Sequence, residues 1–303
     1  MDTLTKAIPE HLLSLSWFDL EEERALSVLS DLESELKGIH KKLSPKRVHQ
    51  ARVVIRRWYS IWEILSADNW QDNEYEKSVG LRLGKFNKNL GKLRDIDVNI
   101  AMAKQFQAPI EFVLMLEKRR SKIEAKLYKK ITKVKVKKIL RGIEEHLSRR
   151  AYELEKMLDP LPEDDIDGPI LLDGAAYPHI DAFLKEQEEE TKELSRRART
   201  EQELHKLRLT IKRWRYLLTE FFGVTNLILV EAQSDLGKHH DLTRLRTELT
   251  AFENKSRESR KKSINECHER IKLELKRLEE DFLALVDKLP YGLRPYKVST
   301  LIG

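Results

Sequence analysis

The sequence predicts an all-α protein built from two four-helix bundles related by internal duplication. Charged residues make up 36% of the 303 residues, with only 11 Gly and 9 Pro, a composition typical of long solvated helices. Apolar residues recur at spacings of three and four, and no stretch shows the period-two alternation of a half-buried strand. One basic segment also occurs twice, which indicates a repeated architecture.

Four helices are expected in the first half of the chain. Ser44 followed by Pro45 separates the first helix from the second, with Ser44 as the N-cap and Pro45 at the first helical position. The third helix is expected to be irregular at residues 90–92, and the fourth to break near Thr132. The expected boundaries are 18–43, 45–66, 74–105 and 109–158.

A linker divides the chain near its midpoint. Residues 159–169 are rich in Pro, Gly and acid, so we place a linker over residues 161–176, between a first bundle at 1–160 and a second at 177–303. The second bundle is expected to repeat the cycle of four helices. Their expected boundaries are 178–199, 201–222, 226–252 and 256–289.

The repeated segment is a basic helix with a histidine near its start. Residues 48–65 and 204–221 align at an offset of 156, and the aromatic residues of each copy fall on the core face of a helical wheel. The basic residues fall on the opposite face. The paired residues are His49 with His205, Arg52 with Arg208, Arg56 with Lys212, Arg57 with Arg213 and Trp58 with Trp214, and Lys46, Arg47, Lys206 and Arg215 extend the two basic sets.

The two histidines are expected to lie one turn inside their helices. With Ser44 and Thr200 as N-caps, His49 and His205 each take the fifth helical position, and Glu203 completes a capping box with Thr200. Backbone N–H groups at a helix start favour phosphate, and a nearby His can donate to a phosphate oxygen. We therefore predict that both histidines contact phosphate.

A second motif is repeated in the following helix of each half. Residues 90–95 (LGKLRD) correspond to residues 236–241 (LGKHHD), so two matched segments occur twice in the same order. Like charges at three- and four-residue spacing on the basic helices repel one another by roughly 0.2–0.5 kcal/mol per pair. Either a bound anion neutralises them, or Asp95 and Asp241 of the second motif do so.

The two motifs resemble those of the CHAD family, the conserved-histidine α-helical domain. The matches are His49-x-x-Arg52-x-x-x-Arg56-Arg57, Leu90-Gly91-x-x-Arg94-Asp95-x-Asp97-Val98, His205-x-x-Arg208-x-x-x-Lys212-Arg213-x-Arg215-Tyr216 and Leu236-Gly237-x-x-x-Asp241-Leu242. This resemblance covers nearly the whole chain and implies two bundles with pseudo-twofold symmetry around a basic groove or pore that binds inorganic polyphosphate. It implies no catalytic activity, cofactor or metal.

The resemblance and the repeats together predict the residues of the polyphosphate site. One departure from an arginine-based pattern is that His239 and His240 stand where the first half has Lys-Leu-Arg. The predicted binding residues are His49, Arg52, Arg56, Arg57, Lys92, Arg94, His205, Arg208, Lys212, Arg213, Arg215, Lys238 and His239.

Three other functions are open from the sequence. A metal phosphohydrolase of the HD type would use His205, the pair His240-Asp241, and Asp281 or Asp287 as ligands, but cation-rich surroundings repel a divalent metal. Nucleic-acid binding is disfavoured because the tryptophans of the basic helices face the core and leave no platform for base stacking. The third alternative is an acidic surface of another protein.

Composition also indicates a compartment. The single cysteine, Cys267, excludes a disulfide framework, and neither a secretion signal nor an apolar run long enough to span a membrane is present. With 57 basic and 51 acidic residues, the net charge of +6 attracts polyanions only where it is concentrated. We expect a cytoplasmic protein, not inserted in a membrane, that binds polyphosphate, a polyphosphate granule or a partner protein.

Overall fold

The computed structural model describes residues 17–65, 79–131, 134–157, 178–256 and 260–294. Every regular element in these ranges is helical, which confirms the predicted all-α class. The elements in chain order are α1 (Trp17–Lys41), α2 (Pro45–Leu65), α3 (Leu81–Gln105), α4 (Ile110–Ile131), α5 (Val136–Met157), α6 (Pro178–Arg197), α7 (Glu201–Tyr216), a π-helical segment (Leu217–Phe221), α8 (Leu227–Glu253) and α9 (Lys261–Val286).

Two predictions about irregular helices have opposite outcomes. The predicted irregularity at residues 90–92 is wrong, because α3 continues through them as one α-helix. Leu90 and Leu93 are fully buried on either side of Gly91 and hold this stretch against the core. The predicted break near Thr132 is confirmed, since α4 and α5 are separate helices.

The starts of α2 and α7 have the predicted caps. Oγ of Ser44 accepts a hydrogen bond from the backbone N–H of Arg47 at 3.4 Å. Oγ1 of Thr200 accepts from the backbone N–H of Glu203 at 3.3 Å, and the Glu203 carboxylate accepts from the backbone N–H of Thr200 at 3.0 Å. Hydrogen bonds from the backbone of Arg199 and Thr200 lower the pKa of Glu203 to about 2. Both basic helices therefore begin at the predicted residues.

Consecutive helices pack against each other within each half of the chain. In the first half α1 packs on α2, α2 on α3 and α3 on α4, and α5 packs on α1. In the second half α6 packs on α7, α7 on α8 and α8 on α9. The halves meet where α3 contacts α8, where α2 contacts α7, and where the π-helical segment contacts α1 and α2. The buried apolar side chains form one core through both halves, and Trp58 and Trp214 are fully buried in it.

Some expectations concern segments on which the structure is silent. The predicted linker at 161–176 and the connection at 66–78 lie outside the described residues. The internal duplication and the bundle boundaries at 160 and 177 therefore stay predictions. Within the described ranges, no helix combines the length and the apolar character needed to cross a membrane.

Candidate anion-binding site

The helices α2 and α7 place the two predicted sets of basic residues in one region of the molecule. We call these sets the basic rows: the first comprises Arg52, Arg56 and Arg57 after His49, and the second Arg208, Lys212, Arg213 and Arg215 after His205. His49 and His205 each take the fifth position of their helix, as predicted. The side chain of His49 is exposed, whereas that of His205 is half-buried. Because α2 also contacts α7, charges from the two halves of the chain act on one another here.

Each basic row carries an arginine that lies against a glycine of the following helix. A Cβ atom on Gly91 would lie 2.8 Å from Nη1 of Arg52, and a Cβ atom on Gly237 would lie 3.7 Å from Nε of Arg208. The missing side chain of Gly91 is thus required for the position of Arg52. Both glycines belong to the second repeated motif, so the two motifs meet in space in each half.

Five cations from both halves form what we call the central cation cluster. Burial and then the charge of Arg56 lower the pKa of Lys212, and the same two causes lower the pKa of Arg208. Burial, followed by Arg56 and then Arg94, lowers the pKa of Arg52. The cluster consists of Arg52, Arg56, Arg94, Arg208 and Lys212.

Lys212 is the most strongly perturbed member of the central cation cluster. Burial, followed by the charges of Arg56, Arg208, Arg52 and Arg215, lowers its pKa to about 7. An unperturbed lysine titrates near 10.4, so Lys212 gives up its proton much more readily than an ordinary lysine does. A bound anion would raise this pKa again, because it favours the charged amine.

The central cation cluster has few compensating groups. Among the residues that the structure describes, no carboxylate forms an ion pair with any of its five members, and Asp95 is bound to Arg244 at 3.0 Å instead. Burial raises the pKa of Asp241, although the charge of Arg208 opposes this. Nε of Arg208 and Nδ1 of His205 are buried without a hydrogen-bond partner. Asp95 and Asp241 therefore neutralise the two sets of basic residues only in part.

The histidines of the second half form a stacked pair. The rings of His205 and His240 have centroids 4.3 Å apart and an interplanar angle of 30°. Burial and then the charge of His205 lower the pKa of His240 to about 4. Burial and then the charge of Arg208 lower the pKa of His205, and desolvation of the part of its ring that is covered, followed by the charge of Arg94, lowers the pKa of the otherwise exposed His49. All three imidazoles gain charge more readily when an anion is near.

Two predicted binding residues are held by carboxylates. Nε of Arg57 lies 2.5 Å from Oε2 of Glu220, and its Nη1 lies 2.6 Å from Oδ2 of Asp31. Nε of Arg213 lies 3.7 Å from Oε1 of Glu63, and the Arg213 side chain is 56% exposed. The pairs Arg57–Glu220 and Arg213–Glu63 each join one half of the chain to the other, whereas Asp31 belongs to the same half as Arg57. The structure therefore uses Arg57 as a tie between the halves and does not bring it into the central cation cluster.

Of the binding residues predicted in the second motif, only Arg94 belongs to the central cation cluster. Lys238 lies 3.8 Å from Asp235, and Nε2 of His239 lies 3.0 Å from Oε1 of Glu279 on α9. Lys92 is exposed and follows the glycine of its motif, about 100° further around α3. Lys92 and Lys238 lie on other faces of α3 and α8 than the glycines do, and none of the three residues belongs to the cluster, but His239 lines one cleft together with His205 and His240.

Arg215 lies at the edge of the central cation cluster. Its Nε donates to Oε1 of Gln233 at 2.7 Å, and its Cζ lies 4.5 Å from the centroid of the Tyr216 ring. Its charge is one of those that lower the pKa of Lys212. Nζ of Lys212 also lies over the Tyr216 ring, 5.7 Å from the centroid. Both cations thus lie within cation–π distance of the Tyr216 ring.

Arg244 lies beside the central cation cluster although it belongs to neither of the two repeated motifs. It lines a cleft of about 730 Å³ together with His205 and His240, next to the central cation cluster. The available signal was helical spacing, because Gly237, His240, Asp241 and Arg244 follow one another at three- and four-residue steps and share one face of α8. Asp95 and Asp241 of the second motif were expected to neutralise the basic residues, but Arg244 forms an ion pair with Asp95.

The arrangement does not resemble a metal centre. In the described part of the chain, no group of three or more His, Cys, Asp or Glu side chains could hold a metal ion. Of the ligands that a phosphohydrolase would need, Asp281 is bound to Arg277 at 2.6 Å, and His240 is stacked on His205 beside arginines. Such surroundings favour an anion over a divalent cation.

Comparison with known proteins places this helical chain in a family. The family model described as the CHAD domain matches residues 23–250, which is most of the chain. The chain therefore belongs to the CHAD domain family, as its two motifs indicated. A comparison with curated proteins gave no significant match.

Two solved structures share the fold. One is the crystal structure of the CHAD domain from the plant Ricinus communis, with a TM-score of 0.62 and 17% identity, covering 97% of this chain and 96% of that chain. The other is PptA from Streptomyces chartreusis, with a TM-score of 0.62 and 11% identity, covering 89% of this chain and 99% of that chain. At these identities the similarity shows the fold alone.

Proposed function

We propose that this chain is a binding module for inorganic polyphosphate, and that the polyanion lies along the central cation cluster. The observation that carries the proposal is that burial and then neighbouring cations, Arg56 above all, lower the pKa values of Arg52, Arg208 and Lys212, while none of the five cluster members forms an ion pair with a carboxylate of the described residues. Such mutual repulsion is an avoidable cost unless an anion relieves it.

The chemistry of the cluster suits a chain of phosphates. Arginine presents a planar fork that can bind two phosphate oxygens, and lysine provides a compact charge. The unpartnered Nε of Arg208 is a donor that a phosphate oxygen would satisfy, and Nδ1 of His205 is a second unpartnered polar atom nearby. Because the members come from both halves, an extended polyanion fits this arrangement better than a single small anion does.

Binding without catalysis is part of the proposal. Among the described residues, no group of three or more His, Cys, Asp or Glu side chains could hold a metal ion for catalysis. We propose a cytoplasmic module that recruits polyphosphate, or attaches a partner protein to a polyphosphate granule. Nucleic acid is the main competitor, but the large aromatic rings Trp58 and Trp214 are fully buried and offer no surface for base stacking.

The test is a titration of the purified chain with long-chain polyphosphate and with single-stranded DNA, at low and high salt. We expect tighter binding of polyphosphate at both salt concentrations and a steep loss of affinity with salt, since phosphate contacts release counterions. Equal or tighter binding of DNA would overturn the proposal.

A double variant locates the binding. Arg56→Ala with Lys212→Ala removes one cation from each half, and we expect roughly a hundredfold loss of polyphosphate affinity with unchanged helicity. The matched control is Lys118→Ala with Lys122→Ala, which removes the same charge from the exposed side of α4. Similar losses in the two variants would show that only net charge matters.

A further inference from the structure

A second basic surface surrounds a cleft at the junction of α3, α4 and α5. The cleft has a volume of about 420 Å³. It lies on another face of α3 than the central cation cluster, because Phe86 in its lining and Gly91 beneath Arg52 are separated by about 140° around the helix axis. Its lining consists of Arg82, Lys85, Phe86, Asn89, Leu127, Lys130, Ile131, Val134, Lys135, Lys138 and Ile139.

The floor of the cleft is apolar and closely packed. Phe86, Leu127, Ile131 and Ile139 are each at most 4% exposed, and Val134 packs against the same core. These side chains come from α3, from the end of α4, and from the start of α5. The floor is therefore a preformed concave surface rather than a loose gap between helices.

The rim of the cleft carries five cations and no carboxylate among its lining residues. All five are exposed, and in the described part of the chain none of them forms a hydrogen bond or an ion pair through its side chain. Several cations on other exposed helix faces pair with a carboxylate three or four residues away, as Lys37 does with Glu33 and Lys276 with Glu280. The five rim residues are Arg82, Lys85, Lys130, Lys135 and Lys138.

We propose that this cleft is a docking site for an acidic peptide segment of a partner protein, with an apolar side chain of the segment in the cleft and its carboxylates on the rim. The charge of the rim requires an anionic ligand, and the apolar floor favours burial of an apolar group. A peptide combines both because acidic residues can stand on either side of an apolar one.

The distribution of the cations distinguishes a peptide from other anions. Arg82 and Lys85 lie on α3, Lys130 on α4 and Lys138 on α5, so a ligand whose negative charges flank an apolar group can meet cations from all three helices. A lipid places its phosphate at one end of its acyl chains, and polyphosphate has no apolar part. The lining of the cleft has one aromatic side chain, Phe86, so successive nucleobases would find no row of rings on which to stack.

The test uses a fluorescently labelled peptide in which a central Leu-Phe pair is flanked by three acidic residues on each side. All protein samples are the full chain carrying Arg56→Ala and Lys212→Ala, so that the central cation cluster contributes little. We expect saturable binding by fluorescence anisotropy, and a loss of about tenfold in affinity when Lys130→Glu and Lys138→Glu are added. A peptide with Ser-Ser at its centre should bind about tenfold more weakly than the first.

The control replaces two exposed lysines elsewhere on α4, as Lys118→Glu with Lys122→Glu, and gives the same change in net charge. The proposal is overturned if this control loses as much affinity as the cleft variant, if the Ser-Ser peptide binds equally well, or if anionic vesicles bind through the cleft lysines while the peptide does not. Circular dichroism and thermal unfolding confirm that each variant is folded. Because the test needs no polyphosphate, its outcome is independent of the function proposed above.

Discussion

The two basic rows have matched residues but different surroundings. In the first half, Nη1 of Arg52 donates to the backbone oxygen of Asn87 at 2.7 Å and to its Oδ1 at 2.9 Å. In the second half, Nε of the matched Arg208 is buried without a partner. His49 is exposed, whereas His205 is half-buried and stacked on a second histidine. The first row is largely satisfied within the protein, and the second row has more to gain from an anion.

Matched residues of the two halves therefore need not contribute equally to anion binding. A side chain that already has its hydrogen bonds gains less from a ligand than one that is buried and unpaired. The second row therefore should provide most of the affinity for polyphosphate, while the first row orients the chain and extends the track. The following predictions compare matched positions, beginning with the largest expected effect.

The first prediction compares Arg208→Ala with Arg52→Ala. We expect the Arg208 change to weaken polyphosphate binding roughly fiftyfold and the Arg52 change only about fivefold. A charged donor without a partner inside the protein interacts more strongly with the ligand, so its removal costs more affinity. Isothermal titration at constant salt measures both. Equal losses would show that the internal hydrogen bonds of Arg52 do not reduce its contribution.

The second prediction concerns the ties between the halves. Arg57→Ala should lower the free energy of unfolding by roughly 2–3 kcal/mol, because it leaves Glu220, which is 11% exposed, without its partner. Arg213→Ala should lower it by less than about 1 kcal/mol, since that pair is long and exposed. Urea unfolding measures both, and polyphosphate affinity should stay within about twofold for Arg57→Ala. A large loss of affinity with unchanged stability would instead place Arg57 in the binding site.

The third prediction concerns pH and Lys212, the lysine that stands in the second row where the first row has Arg56. Free Lys212 has a pKa of about 7, and a bound anion raises that pKa, so binding above neutrality takes up a proton. Affinity should fall by up to about tenfold per pH unit above pH 7, until the pKa of the bound state is passed. In Lys212→Arg this decline should disappear, because arginine stays charged. A decline that persists in the arginine variant would assign the proton to another group.

The fourth and smallest prediction compares the two glycines. Gly237→Ala meets Arg208 at an ordinary contact distance of 3.7 Å, so the better helix propensity of alanine should stabilise the protein by about 0.5–1 kcal/mol. Gly91→Ala brings a Cβ atom to 2.8 Å from Arg52, and displacement of that side chain should cancel the gain. Thermal unfolding compares the two variants. A gain of stability for Gly91→Ala would mean that Arg52 moves aside at no cost.

One difference between the halves explains a shift in register. The offset of 156 pairs Glu63 with Thr219, but the carboxylate that answers Arg57 across the halves belongs to Glu220. A π-helical turn holds more residues than an α-helical turn, and the segment Leu217–Phe221 is π-helical. The extra residue places Glu220 where the reciprocal contact requires a carboxylate. Apolar spacing alone does not reveal such a segment, because its residues are as buried as those of an α-helix.

The amino-acid sequence by itself determined the helical class, the separate helices at Ser44-Pro45 and Thr132, and the fifth helical position of both histidines. These are local properties: apolar spacing sets a helix face, and a cap sets the helix start within a few residues. The buried positions of Trp58 and Trp214 follow from the same spacing.

The tertiary structure decided which cations form the site. Arg57, Arg56 and Arg52 stand within six residues of one another on α2, yet the first is bound to carboxylates of α1 and of the π-helical segment, and the other two act on cations of α7. The positions of Lys92 and Lys238 outside the cluster, and those of His239 and Arg244 in the cleft beside it, also depend on which helices are neighbours. The charge on a side chain is written in the sequence, but its partners and its desolvation exist only once the helices have packed.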